Sequence, residues 1–276
     1  MATNKVIYRG VTLMDVTDST VTPETLGDGI VAYAANGERI VGTNKGGSGD
    51  DEFSLDKYFE GGYAEVNLPN ATKIRDYGFS NYKTLQTISM PKVTSIGANA
   101  FAGCTKLNMD SLPDGITSIG DSAFMSCENL ALTSLPSGLT SIAKNAFIYC
   151  SNLALTSLPS GVTSIGQYSF SNCSNLALTS LPSGLKRIDA TAFGSCPKLA
   201  LTSLPSEITN IGSYAFSDCL GLVSITFEGK PSSIGSSAFY NCTNLTTINV
   251  PWAEGEVRYA PWGATNATIN YNYTGG

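Results

Sequence analysis

The chain has 276 residues, 42 % of them hydrophobic and only 14 % charged, with a net charge of −6 and no histidine. Without histidine there is no Ser-His-Asp or Cys-His nucleophile and none of the commonest zinc ligand, so a non-enzymatic protein is expected. The absence of a basic run argues against nucleic acid or acidic lipid as a partner, and no stretch approaches the roughly 18 apolar residues of a membrane-crossing helix.

In chain order, residues 1–44 alternate apolar and polar positions and predict a small β-rich module. Residues 1–16 lack the basic and apolar regions of a secretory leader. Residues 45–52, which include GGSGDDE, read as a Gly/Ser and acidic linker.

Beyond residue 53 the chain keeps a period. Phe101, Phe124, Phe147, Phe170, Phe193, Phe216 and Phe239 stand 23 residues apart, and Cys104, Cys127, Cys150, Cys173, Cys196, Cys219 and Cys242 follow three residues behind them. Phe79 opens the series with Tyr82 in the cysteine place. A fixed period of this length means a stacked repeat array. Seven cysteines cannot all pair within one chain; their shared repeat position predicts a buried column of small plugs, against a disulfide ladder or a metal column.

The repeat at residues 153–175 reads LALTSLPSGVTSIGQYSFSNCSN. Its apolar positions fit neither a sustained alternation nor a helical period. A short strand is expected over 153–158, ended by Pro159, with a turn at Ser160-Gly161. A second extended piece is expected over 162–165, and then an irregular or 3₁₀-like turn over 166–173 that points Phe170 inward. Seven buried apolar side chains contribute roughly 10–20 kcal/mol gross, and ordering one coil costs roughly 25–45 kcal/mol, so a lone coil does not fold. The terminal segments, 53–83 and 251–276, depart from the repeat and read as caps. The aromatic tail, with Trp252, Tyr259, Trp262, Tyr271 and Tyr273, either closes the last coil or offers a binding or oligomer face.

The run ITSIGDSAFMSCENL (residues 116–130) and its copies, over residues 74–250, resemble the leucine-rich repeats of the BspA-like family. The resemblance implies a β-rich α/β leucine-rich-repeat solenoid of about eight 22–23-residue coils, right-handed, with a parallel sheet on its concave side. It also implies bacterial-surface adhesion. The middle copies depart from the last ones. LALTSLP places apolar residues at its first, third and sixth positions, LVSITF and LTTINV at their first, fourth and sixth, which predicts a bulge or a shifted phase. Residues 6–43 resemble the N-terminal module of tail-fibre-like proteins of phages and prophages of gut bacteria, and residues 250–273 the close of phage-encoded leucine-rich-repeat proteins. That resemblance implies a virion (tail) location, or an extracellular surface reached without a leader, and contacts to other virion proteins through residues 1–44.

Within the array the strand positions hardly vary, and Thr133-Ser134, Thr156-Ser157, Thr179-Ser180 and Thr202-Ser203 would form hydroxyl ladders. Variation gathers after the SIG element and between Phe and Cys. Met125, Ile148, Tyr149, Tyr168, Tyr214 and Tyr240 form a candidate recognition ridge, whose aromatics could stack on sugars; alternatively, these positions vary because nothing constrains them. The sequence calls for no cofactor. The expected function is recognition of a bacterial surface glycan or protein. The alternatives are a scaffold with a self-associating tail, and a carboxylate-based polysaccharide hydrolase that lacks an evident dyad.

Overall fold

The computed structural model describes residues 65–275 and, ahead of them, the backbone strands Lys5–Tyr8, Val11–Asp15, Val31–Tyr33, Arg39–Val41 and Glu52–Phe53. The first two strands pair antiparallel, as do the next two. From Glu52 on, the described residues form a stack of three-sided coils joined by parallel pairing.

On the first side each coil contributes a two-residue strand. These run from Glu52–Phe53 and Lys73–Ile74 through Ser95–Ile96, Ser118–Ile119, Ser141–Ile142, Ser164–Ile165, Arg187–Ile188 and Asn210–Ile211 to Ser233–Ile234. Pairing is residue on equivalent residue, Ser164 on Ser141 and Ile165 on Ile142, so the isoleucines form one inward column. The nine strands fall into a four-stranded and a five-stranded sheet that divide between Ser118–Ile119 and Ser141–Ile142. Ala143 stands at that step, where Gly120, Gly166, Gly212 and Gly235 stand in other coils. A Cβ on Gly166 or Gly212 would lie 2.8 or 2.4 Å from the preceding coil's backbone nitrogen, so the alanine methyl crowds its neighbour there. Asp189 holds the same place without breaking the ladder, since its N–H still donates to the Ile165 carbonyl at 2.9 Å.

The second side is the turn between SIG and Cys, where backbone bonds alternate in direction. The N–H groups of Tyr168, Phe170 and Asn172 donate to the next coil's Ala190, Ala192 and Gly194 carbonyls, while those of Ser169, Ser171 and Cys173 donate three residues back within the coil. From residue 168 to 173 the donors are satisfied, half of them locally and half across the stack.

The third side differs from the sequence expectation. Strands form at its ends, Glu65–Asn67 with Thr87–Ser89, and Ser203–Leu204, Ser224–Phe227, Thr247–Asn249 and Thr268–Asn270 in one four-stranded sheet. None forms over residues 153–158 or its copies at 130–135 and 176–181. Phase and neighbours together decide it. In Ser224–Phe227 the inward residues are Ile225 and Phe227, two apart, as a pleated strand requires; at 153–159 they include Leu155 and Leu158, three apart, and the coils on both sides share that spacing. The copy at 199–205 has the same spacing at Leu201 and Leu204, yet Ser203–Leu204 is a strand because it pairs with Thr226–Phe227 of the regular strand in the next coil. The middle coils keep a cross-coil bond in place of the ladder, such as Ala154 N–H to the Leu132 carbonyl at 3.1 Å.

No helix occurs among the described residues, so the fold is a parallel β-solenoid, and the α component of the sequence-based class has no counterpart in them. Its core is a column of eight phenylalanine rings from Phe79 to Phe239, stacked nearly parallel at centroid steps of 5.2–5.6 Å. At the C-terminal end Trp252 and Trp262 are buried and pack edge-on or tilted against Phe227. Lys230 pairs with Glu256 beside them.

Candidate functional site

The turn face carries the candidate ridge, and its backbone decides what stands there. Two positions in nearly every coil, two residues before Phe and two after it, adopt a left-handed conformation with φ between 54° and 62°. The second column runs Asn81, Ser126, Tyr149, Asn172, Ser195, Asp218 and Asn241, with Gly103 (φ 76°) in one coil. Gly accepts this geometry freely and Asn and Asp at small cost, whereas other residues there are strained by about 1–3 kcal/mol. Tyr149, Tyr168 and Tyr214 all occupy such positions, and all are exposed.

Tyr77 matches Tyr168 and Tyr214, with φ 60° and 64 % exposure, and sequence reasoning missed it. Counting two residues back from Phe79 would have found it, had that coil not been set aside as a cap. Thr191 is left-handed too, so a strained position is not by itself evidence of binding.

Between the two columns lies the residue directly after each Phe. Here Ser171, Gly194 and Ser217 are buried, Met125 and Ile148 half-buried, and Tyr240 exposed at 54 %. The structure therefore divides the six candidates. Tyr214 and Tyr240 meet edge to face, with centroids 5.9 Å apart at 72°, while Tyr149 and Tyr168 stand in earlier coils. Met125 and Ile148 lend part of their surface to packing. Tyr214 and Tyr240 are flanked by Asp218, whose Oδ1 accepts a hydrogen bond from Asn241 Nδ2 at 2.6 Å. The tail divides as well: Trp262 is fully buried, and Tyr259 is 64 % exposed.

The strand side offers a different feature, a shallow depression of about 370 Å³ lined by Thr87, Ile88, Asn108, Met109, Asp110 and Ser111. It opens where the strand Thr87–Ser89 gives way to a coil without one. Its one carboxylate, Asp110, already accepts from the Ser111 hydroxyl, and it carries no aromatic ring. The hydroxyl-bearing pairs Thr133-Ser134, Thr156-Ser157 and Thr179-Ser180 are exposed on this side.

The cysteines are buried and unpaired, and each thiol donates to a Phe carbonyl of a preceding coil, as Cys173 Sγ does to Phe147 at 3.1 Å. Sequence reasoning treated them as apolar plugs and missed this donor role. Burial pushes Cys104 and Cys196 up to about 12 and Cys242 to about 11, only partly offset by a backbone N–H at each sulfur. Thiols so displaced are poor nucleophiles at neutral pH. Among the described residues no three Cys, Asp or Glu side chains gather to hold a metal.

No curated protein sequence matches the chain. Solved structures do. A leucine-rich cell surface protein from Faecalibacterium prausnitzii is 27 % identical with a TM-score of 0.56, covering 69 % of this chain and 64 % of its own. A leucine-rich repeat protein from Bacteroides ovatus is 26 % identical with a TM-score of 0.57, over 75 % of this chain and 60 % of its own. A leucine-rich repeat protein from T. pallidum is 30 % identical with a TM-score of 0.50, over 58 % of this chain and 78 % of its own. The matches thus span about three fifths of the first two proteins' length. Six copies of the BspA type leucine-rich repeat region match residues 72–200 and 142–259, which together cover well over half of the sequence. The recurrent SIG, Phe and Cys positions, which set the ladder, the ring column and the thiol column, place the chain in the BspA-type leucine-rich repeat family.

Proposed function

We propose that the protein is a non-catalytic recognition protein, acting at a bacterial surface, that binds a glycan or protein through the turn face of its solenoid. One observation carries the reading. Tyr149, Tyr168 and Tyr214 are held exposed on left-handed backbone where other coils use Asn or Ser. A solvated tyrosine at such a position adds nothing to the core and costs stability, so a contact outside the chain is the economical reason for it. The family, and the cell surface protein of F. prausnitzii among the similar structures, agree with binding rather than catalysis. Attachment to a phage tail through residues 1–44 is the finer form of the proposal. It rests on the sequence resemblance of residues 6–43, most of which lie outside the described residues, and of residues 250–273.

The test is retention of labelled full-length protein on a panel of gut bacterial cells. Retention by a few strains is expected, lost after periodate treatment if the target is a glycan and after protease treatment if it is a protein. Retention by no strain overturns the proposal.

A further inference from the structure

We infer that residues 213–218 and 236–241 form a subsite for a neutral saccharide, built from the Tyr214–Tyr240 pair, the Asp218–Asn241 pair and a floor of Ser217 and Gly194. The inference rests on the proposed function and locates it. The column after Phe is low at Gly194 and Ser217, both buried, and a Cβ on Gly194 would lie 3.2 Å from Ser217 Oγ. At the next coil the column rises abruptly to Tyr240. That ring stands out because the cap reaches this turn through Gly263 (φ 86°), whose backbone comes so close that a Cβ would lie 3.1 Å from Tyr240 Cα and N. Tyr214 borders the same dip from the first left-handed column, and its edge-to-face contact with Tyr240 leaves ring faces uncovered.

Across the dip, Asp218 and Asn241 hold each other at 2.6 Å while still presenting a carboxylate oxygen and an amide oxygen. Exposed aromatic surface beside fixed acceptors matches a ring with an apolar C–H face and a rim of hydroxyl donors. Asp218 is the only charged side chain in the turns 190–195, 213–218 and 236–241. An acidic sugar would bring its carboxylate against that charge, so the class is neutral.

The test uses full-length protein on the cells that retain it. Tyr214→Ser/Tyr240→Ser is compared with Tyr149→Ser/Tyr168→Ser, each serine being a residue the same columns already carry at Ser122, Ser126 and Ser217, so the stack is preserved. The first pair should weaken retention about tenfold or more, as truncating aromatic anchors does; the second, on the same face but outside the subsite, should weaken it by a clearly smaller factor. Filling the dip by copying the coil of Asn145 and Ile148, as Thr191→Asn/Gly194→Ile, should also abolish retention. Periodate treatment of the cells should remove binding, and capping their carboxylates as amides should leave it. Equal or reversed effects of the two tyrosine pairs overturn the location, and loss on carboxylate capping overturns the neutral class, both leaving surface recognition intact. Periodate-resistant, protease-sensitive retention replaces the saccharide by a protein, and retention by no cell defeats the underlying reading itself.

Discussion

Raising the pH from 8 to 10 should bring the solenoid close to unfolding, because seven buried thiols resist ionisation in place. Desolvation is the first cause of every upward shift, and the folded values reach about 12 for Cys104 and Cys196 against an ordinary value of 9.0. With the folded pKa above the unfolded one, the unfolded chain gives up its protons first. Stability is therefore complete below about pH 9 and falls as the pH rises toward 11–12. At pH 10 each thiol that ionises only in the unfolded chain costs roughly 1–2 kcal/mol, and the seven together roughly 10 kcal/mol. A typical domain has about 5–15 kcal/mol in all. The assay is the urea midpoint, followed by far-UV circular dichroism under reductant at pH 7 to 10. Cys173→Ala serves as a control whose loss of stability above pH 9 should be about one seventh shallower. A midpoint unchanged between pH 8 and 10, or a native protein whose thiols react promptly with an aromatic disulfide at pH 8, would refute the reasoning.

Phe147→Ala removes a fully buried ring stacked at 5.5 and 5.6 Å on Phe124 and Phe170 and should cost about 3–5 kcal/mol. It lies one coil beyond the divide in the first ladder, so the two halves should melt apart: tryptophan fluorescence, which reports only the C-terminal Trp252 and Trp262, should separate from circular dichroism, and coincident transitions would count against a stack of locally coupled coils. Gly212→Ala places a methyl 2.4 Å from Ala190 N and should cost about 1–3 kcal/mol by thermal melting; a neutral result would mean that coil spacing yields more easily than the backbone contacts imply.

Much of this architecture could be read from the repeat itself. A residue recurring every 23 positions must meet its own copy in the next coil, which is why Phe and Cys formed columns and Ile165 sat on Ile142 in register. The strand expected over 153–158 failed because Leu155 and Leu158 face inward three residues apart and neither adjacent coil offers a pleated strand to pair with; the same LALTSLP at 199–205 does form Ser203–Leu204, against the regular strand Ser224–Phe227. The left-handed columns were hidden for a different reason. Asn and Ser at those positions look like ordinary loop residues, and only Gly103 hints at positive φ. The ridge residues were found through their variability, but variability carries no distances, so the pairing of Tyr214 with Tyr240 and of Asp218 with Asn241 had to come from the structure.

The same geometry explains why recognition is better placed on the turn than on the strands. A strand position pairs with its equivalent on both sides, so a newcomer there sits against two neighbours at once; Ile recurs along the first ladder, and Ser beside it gives way to Lys73, Arg187 and Asn210 in only three of the described coils from Lys73 on. Turn residues satisfy their N–H three residues back or across one coil with quite different side chains, as Tyr168 and Ser171 do. The turn thus tolerates replacement at a cost set mainly by its left-handed φ, about 1–3 kcal/mol for a tyrosine. At the last regular coil the neighbour is the cap, which approaches the Tyr240 backbone through Gly263, and the Tyr240 ring stands exposed there. Specificity can therefore change by altering residues 213–218 and 236–241 while the ring and thiol columns keep the stack intact. If so, replacing both turns by the ATAFGS of residues 190–195 should leave the thermal midpoint equal to or above that of the parent and remove retention on cells. A large fall in the midpoint would mean that the tyrosines hold the fold together, and that the turn face is structure rather than site.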